Sequence, residues 1–112
     1  MDAALQELVR QRARFRCEYC LLPEALVSTP FQFDHIIAQF HDGPTVAENL
    51  AYACFHCNSF KGPNVAGVDP STDAIVRLFH PRREAREEHL QWQGELIVGL
   101  TPVGRPRCAF CA

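Results

Sequence analysis

The sequence lacks a long apolar run, an excess of positive charge, and any internal repeat or low-complexity tract. No run approaches the ~20 apolar residues that a membrane-spanning helix needs, so a transmembrane segment is excluded. The first residues do not combine a basic patch with an apolar run, so we expect no secretory signal and a reducing, cytoplasmic compartment. The formal net charge of −2 argues against bulk electrostatic attraction to nucleic acid, which leaves only local basic patches for such a role.

What the sequence does contain is enough apolar material for one small globular domain, together with six cysteines. The chain has 112 residues, of which 47% are hydrophobic, so it is expected to fold rather than remain disordered. Domains of this size often need a covalent or metal link to stabilise a small core. In a reducing compartment, paired Cys-x-x-Cys motifs favour a metal site over a disulfide.

Two Cys-x-x-Cys pairs, Cys17/Cys20 and Cys54/Cys57, predict one four-cysteine zinc site. The two-residue spacing lets both thiolates of one tight turn bind the same metal. Either pair alone is equally compatible with two buried free thiols, whereas two such pairs form a much stronger pattern. His56 lies inside the second pair and is the alternative ligand at this site.

A third pair, Cys108 and Cys111, lies close to the end of the chain without a fourth pair to share a metal. We therefore predict a frayed tail there, and a second zinc site is the less favoured alternative.

The segment from Phe31 to Ile37 is rich in aromatic and β-branched residues and is predicted to form a short strand. Two adjacent ionisable residues, Asp34 and His35, lie in the middle of it. Buried strands rarely contain two such groups unless the groups have partners or a function. Neighbouring side chains of a strand point to opposite faces, so both can serve one site only if the strand ends or bends here.

Other elements are predicted from hydrophobic periodicity and from turn residues. In chain order they are a helix over 3–14 with Asp2 as N-cap, a turn-rich loop over 39–45, a strand over 51–53, a helix beginning at 58–62 and stopped by Gly62-Pro63, a loop over 64–70, a strand over 74–79, a short helix or turn over 86–92, and a strand over 95–100 paired with that over 74–79. His41 lies in the loop beside Asp34 and His35, where it either lines the site or is a bystander.

A carboxylate, an imidazole and a carboxamide near a zinc site suit metal-assisted hydrolysis. Asp34 and Asn58 offer hard oxygen ligands, which favour Mg²⁺ or Mn²⁺. His35 can take a proton from water near neutral pH. A bound divalent ion would neutralise charge on a phosphate, so cleavage of a phosphodiester fits these residues.

These residues resemble the HNH endonuclease family, whose ββα-metal fold is also called the His-Me finger. The resemblance rests on the order and spacing of four segments: Cys17-x-x-Cys20, Asp34-His35-Ile36-Ile37, Asn49-Leu50 and Cys54-x-x-Cys57-Asn58-x-x-Lys61-Gly62. A looser likeness to a bacterial, especially cyanobacterial-type, subgroup extends through 77–82 and 99–105. That subgroup usually continues beyond Gly104, whereas this chain ends in Cys108-Ala109-Phe110-Cys111-Ala112.

The resemblance implies a role for each matching residue. His35 corresponds to the histidine that activates water, and Asp34 to the acidic ligand of the catalytic ion. Asn49 corresponds to the asparagine that orients the base through backbone contacts, and Asn58 to the residue that completes the metal site. The four cysteines correspond to a structural zinc site, and DNA would be cleaved to leave 5′-phosphate and 3′-hydroxyl ends.

Two basic residues are candidates for substrate binding. Arg16 belongs to a series of arginines at alternate positions, which would spread around a helix and could equally form a solvated face; the series is Arg10, Arg12, Arg14 and Arg16. Lys61 either touches phosphate or caps the helix that precedes Gly62.

The sequence therefore predicts an α+β fold, with a ββα-metal core held by the four-cysteine zinc site, an N-terminal helix and a C-terminal β-hairpin extension. We expect one nuclease domain over 1–104, with its core at 17–62 and its extension at 63–104, followed by a tail at 105–112. A noncatalytic zinc module that binds nucleic acid or protein is the alternative, and an RNA nuclease or another metallohydrolase also stays open. The sequence does not indicate the oligomeric state.

Overall fold

The computed structural model describes residues 1–94 and 96–106, and it contains helices and small antiparallel sheets. The elements in chain order are α1 (Ala3–Arg12), β1 (Gln32–His35), β2 (Leu50–Ala53), α2 (Phe55–Lys61), β3 (Ala66–Val68), β4 (Ile75–Arg77), α3 (Arg86–His89), β5 (Leu90–Gln93) and β6 (Leu96–Gly99). The predicted α+β class is confirmed.

The predicted ββα core consists of β1, β2 and α2. The two strands pair antiparallel from Gln32 opposite Ala53 to His35 opposite Leu50. Helix α2 follows β2 directly and packs against β1. The prediction placed the start of this helix at residue 58, but α2 begins at Phe55 and includes the second cysteine pair, because Cys54 serves as its N-cap. This arrangement places the strand with Asp34 and His35 beside α2.

Helix α1 begins where the sequence predicts and ends two residues earlier. The Asp2 carboxylate accepts a hydrogen bond from the backbone N–H of Leu5 at 2.7 Å, as an N-cap does. Arg14 and Phe15 have positive φ angles of 56° and 57°, so the chain leaves the helical conformation after Arg12 and the short turn that follows it.

Arg12 attaches α1 to the second strand. Its guanidinium donates to the carbonyl of Ala47 at 2.9 Å and to that of Leu50 at 2.7 Å. Partial burial lowers the pKa of Arg12 from its usual value. Arg12, one member of the predicted arginine series, therefore has a structural role in the fold and does not belong only to a solvated face.

The C-terminal extension consists of two hairpins, whereas the sequence prediction paired 74–79 with 95–100. That pairing is wrong, because β4 pairs with β3 and β6 pairs with β5. The predicted loop at 64–70 contains β3, and the predicted helix or turn at 86–92 divides into α3 and β5. Each strand thus pairs with its nearest neighbour in the chain, and Gly94 at φ 63° suits the tight turn between β5 and β6.

The extension packs against the first cysteine pair. Arg86 donates from Nε to the carbonyl of Tyr19 at 2.9 Å, and Trp92 donates from Nε1 to the carbonyl of Cys20 at 2.8 Å. The ring of Phe79 contacts that of Tyr19 edge to face, with centroids 6.4 Å apart. These contacts connect the extension to the turn that carries the predicted zinc ligands.

The buried core surrounds the cysteines and the central hairpin. Its largest side chains, each less than 2% exposed, include Tyr19, Phe79, Leu50, Leu90 and Val9. No helix in the described part of the chain is long and apolar enough to cross a lipid bilayer. The third cysteine pair, Cys108 and Cys111, lies outside the described residues.

Candidate active site and metal centre

The four predicted cysteine ligands lie together in the core. Cys17, Cys20, Cys54 and Cys57 are all buried, and their Sγ atoms lie within 4.8 Å of one another. The Sγ atoms of Cys20 and Cys54, which come from different pairs, are 3.8 Å apart. Tetrahedral zinc with Zn–S bonds of about 2.3 Å separates its sulfur ligands by about 3.8 Å. The cluster therefore fits a structural zinc ion.

The local backbone at both pairs supports thiolate ligands. The N–H of Cys20 points to Sγ of Cys17 at 3.5 Å, and the N–H of Cys57 to Sγ of Cys54 at 3.4 Å. A hydrogen bond with the Cys20 side chain is the main cause that lowers the pKa of Cys17 to about 7. A hydrogen bond with Cys17 does the same for Cys54, whose pKa is also about 7.

The alternative zinc ligand, His56, lies outside the cysteine cluster. Its side chain is exposed on α2, and its ring contacts that of Phe60 at a centroid distance of 4.5 Å. The metal centre of the described residues is accordingly the all-cysteine cluster.

Asp34 is buried near the end of β1 and has two protein donors. The hydroxyl of Tyr19 donates to Oδ2 at 2.6 Å, and Nζ of Lys61 donates to Oδ1 at 3.3 Å. The side chain is only 5% exposed, so its negative charge is balanced within the protein by the Lys61 ammonium. Buried ionised carboxylates need such partners.

Lys61, the last residue of α2, attaches that helix to β1. In addition to Asp34, its Nζ contacts the backbone carbonyl of His35 at 3.2 Å and that of Gly62 at 3.4 Å. Lys61 is 2% exposed. Asn58 precedes it by three residues on α2 and thus lies on the same side of the helix, which faces β1. The metal-binding role of Asn58 stays a prediction.

His35 is the last residue of β1 and is only half-buried. Its Nε2 lies 2.9 Å from Oγ1 of Thr45, in the loop that connects β1 to β2. The strand ends here, as a shared site for Asp34 and His35 requires. Asp34 contacts the Tyr19 and Lys61 side chains, whereas the His35 ring contacts the loop.

Asn49 fixes the loop that carries Thr45. Its Oδ1 accepts from the N–H of Ile37, and its Nδ2 donates to the carbonyls of Ile37 and Pro44, each at 2.9 Å. Gly43 allows the loop to approach closely, since a Cβ atom there would lie 1.7 Å from the carbonyl oxygen of Ile37. These hydrogen bonds hold the loop beside His35 against the end of β1.

The remaining predicted residues make other contacts. Arg16 is exposed, and its Nη1 donates to the carbonyl of Leu21 at 3.4 Å, beside the first cysteine pair. His41 is exposed, and its ring contacts that of Phe40 at 5.2 Å. The substrate-binding role of Arg16 stays a prediction, as does that of Lys61.

Sequence reasoning missed two residues that contact this site, Tyr19 and Thr45. Tyr19 lies inside the first cysteine pair. An aromatic residue at such a position is expected to fill the core as readily as to contact a site, so the sequence does not single it out. Thr45 lies in a turn-rich loop, and no sequence pattern distinguishes it from its neighbours. Only the folded loop shows its contact with His35.

Comparison with known proteins identifies the segment that forms this site. No curated protein and no solved structure matches the chain. Residues 17–64 match the family model described as HNH endonuclease. The matched segment contains both cysteine pairs, Asp34 and His35, and it extends just beyond the end of α2. The segment whose residues build this site is thus similar to the HNH endonuclease family.

Proposed function

We propose that the chain is a metal-dependent DNA endonuclease in which His35 activates the water that attacks a phosphodiester. The observation that supports this most directly is the half-buried His35 ring, held by Thr45 next to a buried carboxylate on the same strand. A purely structural histidine in a zinc module does not need an adjacent buried carboxylate that is itself supported by Tyr19 and Lys61.

The donor set fits one Mg²⁺ or Mn²⁺ ion. Asp34 supplies carboxylate oxygens and Asn58 a carboxamide oxygen, and such hard ligands suit these ions rather than zinc. Within the described part of the chain, each oxygen of Asp34 accepts one hydrogen bond, which leaves acceptor capacity on both atoms. When bound, the ion would stabilise negative charge on the phosphate and on the leaving oxygen.

The protein residues account for proton transfer and orientation. If Nε2 of His35 carries its proton and donates to Thr45, Nδ1 is the nitrogen that accepts a proton from water. Asn49 holds the loop that presents Thr45, so we propose that it orients the base indirectly, through backbone contacts. Lys61 holds Asp34 and the backbone of His35 in place.

The proposed partner is DNA, and the proposed location is the cytoplasm. Attraction to the DNA backbone must come from local cations, because the chain as a whole has a formal charge of −2. Zinc would bind the four clustered cysteines as reduced thiolates, and cysteines stay reduced in a reducing compartment such as the cytoplasm.

Cleavage of a supercoiled plasmid by the zinc-loaded protein tests the proposal. Reactions would contain added Mg²⁺, added Mn²⁺ or no added divalent ion, so that the structural zinc is kept in every arm. We expect cleavage only with an added ion, and no cleavage by the variant His35→Ala. The matched control is His41→Ala, which removes an exposed histidine of the same loop region and should cleave at the parent rate.

Zinc content and circular dichroism would be measured for each variant to establish that it is folded. A folded His35→Ala variant that cleaves at the parent rate would eliminate His35 as the base. A folded, zinc-containing parent that cleaves neither duplex nor single-stranded DNA would instead favour the noncatalytic zinc module.

A further inference from the structure

A cavity of about 460 Å³ lies next to the candidate active site, between the ββα core and the C-terminal extension. Its size falls within the range of small-molecule binding sites. The residues that line it come from the end of β1, from α2 and the segment after it, and from β4 and the segment after it; they include Ile36, Lys61, Val65, Arg77, Leu78 and Phe79.

The interior of the cavity is apolar. Ile36, Leu78 and Phe79 are each at most 6% exposed and provide its buried wall. Val65 lies at its edge and is 44% exposed, while its carbonyl accepts a hydrogen bond from the N–H of Leu78. A flat, weakly polar group such as a nucleobase could pack against this wall.

The charged residues around the cavity are mainly cationic. Lys61, Arg77 and Arg83 line it together with one carboxylate, Glu84. That carboxylate already pairs with Arg77 and accepts the backbone N–H of His80 at 2.9 Å. Lys61 is likewise paired with Asp34, so among the described residues Arg83 is the lining cation that no carboxylate balances, and its charge is complementary to a phosphate group.

The cavity adjoins the candidate active site through Lys61. Ile36 follows His35 directly in the chain, and Lys61 both lines the cavity and contacts Asp34. A group bound in the cavity would therefore lie close to a phosphate positioned for cleavage at His35.

We propose that this cavity binds one unpaired nucleotide of the DNA substrate, with its base on the apolar wall and its phosphate near Arg77 and Arg83. This inference rests on the proposed nuclease function and names the form of its substrate. A base reaches such a cavity only after it leaves the helical stack, and this step costs least where the base is already unpaired. The protein should accordingly prefer DNA that contains an unpaired nucleotide.

The test compares two fluorescently labelled duplexes, one fully paired and one with a single unpaired thymidine in its centre. Binding would be followed by fluorescence anisotropy with the zinc-loaded His35→Ala variant, which removes the proposed base so that DNA is bound without being cut. Because contact with one base typically changes binding by tenfold or more, we expect the bulged duplex to bind about tenfold tighter.

Two matched pairs of variants in this background assign the preference to the cavity. Val65→Glu places a negative charge at its edge, whereas Val68→Glu places the same charge on an exposed residue of β3 that does not line it. Arg83→Gln removes a lining cation, whereas Arg14→Gln removes an exposed arginine elsewhere. The Val65 and Arg83 variants should lose most of the preference, and their two controls should keep it.

Separate titrations with thymidine 5′-monophosphate and with inorganic phosphate distinguish a nucleotide site from a phosphate site. The nucleotide should shift the amide resonances of Val65 and Leu78, and phosphate alone should not. Equal effects of both ligands would contradict base binding.

Two outcomes of the duplex experiment would overturn the inference while leaving the nuclease proposal in place. They are equal binding of the two duplexes and a preference that survives Val65→Glu. Absence of any DNA binding would contradict both proposals.

Discussion

The hydroxyl of Tyr19 donates a hydrogen bond to Oδ2 of Asp34 at 2.6 Å, and both side chains are buried. Tyr19 lies between Cys17 and Cys20, whose thiols belong to the predicted zinc site. The turn that zinc would stabilise therefore also supports the carboxylate that we propose as a metal ligand. Because residues that support a ligand tune its orientation, the zinc site and the catalytic site should be coupled through this contact.

Removing this hydroxyl should reduce activity and leave the fold intact. In Tyr19→Phe the ring keeps its edge-to-face contact with Phe79, so packing is preserved. The variant should lose about 1.5–3 kcal/mol of stability, as expected for a hydrogen bond to a charged group. Its rate of plasmid cleavage should fall about 10–100-fold, with unchanged zinc content.

The matched control for this change is Tyr52→Phe. Tyr52 is also buried, but its hydroxyl donates to Glu24 and not to Asp34. Burial raises the pKa of Tyr52 to about 12, so this hydroxyl stays protonated at neutral pH. Equal losses of activity in the two variants would show that the effect is a general one on stability and not one on Asp34.

The cysteine cluster should supply most of the stability of the domain. Cys20 and Cys54 come from different cysteine pairs, and their Sγ atoms are 3.8 Å apart. Structural zinc contributes about 10–16 kcal/mol of apparent binding energy, which is comparable to the whole stability of a small domain. Cys54→Ser should therefore unfold most of the chain at 25 °C.

Circular dichroism and bound-zinc analysis would measure this effect. Chelation of zinc from the parent protein should give the same unfolded spectrum, and added zinc should reverse it. Cys54→Ser that retains the parent spectrum without bound metal would contradict a structural role for zinc.

Local chemistry explains which parts of the fold and site could be predicted from the sequence. The spacing of the cysteine pairs is fixed by the geometry of a short turn, so the cluster was predictable without the fold. Asp34 and His35 are conspicuous because two adjacent ionisable groups are unusual in an apolar strand. Both features depend on residues close together in the sequence.

The missed features depend on contacts between distant residues or on weak local preference. Thr45 contacts His35 only because Asn49 fixes the intervening loop. Strand β3 has three residues, and Gly67 at its centre has low strand propensity, so its segment was predicted to be a loop. With no strand expected at 66–68, the sequence offers 95–100 as the partner of β4, and that pairing is incorrect.

A buried ion pair, Asp69 with Arg105, should stabilise the extension independently of pH near neutrality. Arg105 donates to both carboxylate oxygens at 2.7 Å, and this pairing is the main cause that holds the pKa of Asp69 far below its usual value. A carboxyl whose pKa is lower in the folded state than in the unfolded state stabilises the fold. This stabilisation is fully present above the unfolded-state pKa of about 4, and it is lost as the pH falls through the folded-state pKa.

Urea unfolding of Asp69→Asn at pH 6, 7 and 8 checks this expectation. The variant should be less stable than the parent, and by the same amount at all three pH values. Asp73→Asn, which changes an exposed residue of the same turn region, is the control and should have little effect. A stability difference that shrinks between pH 8 and pH 6 would mean that another group titrates with this pair.

Thr45 provides the sharpest test of how the proposed base is held. Thr45→Val keeps the shape of the side chain but removes the Oγ1 atom that lies 2.9 Å from Nε2 of His35. Without this contact the imidazole can rotate, so we expect kcat to fall about tenfold while KM changes little, which is within the usual contribution of general acid–base catalysis. Thr45→Ser restores a hydroxyl at this position and should recover most of the rate.

Thr45 is exposed, so neither change should affect zinc content or the midpoint of thermal unfolding. If valine and serine have the same effect on kcat, the hydroxyl does not orient the base, and the loop positions His35 through its backbone alone.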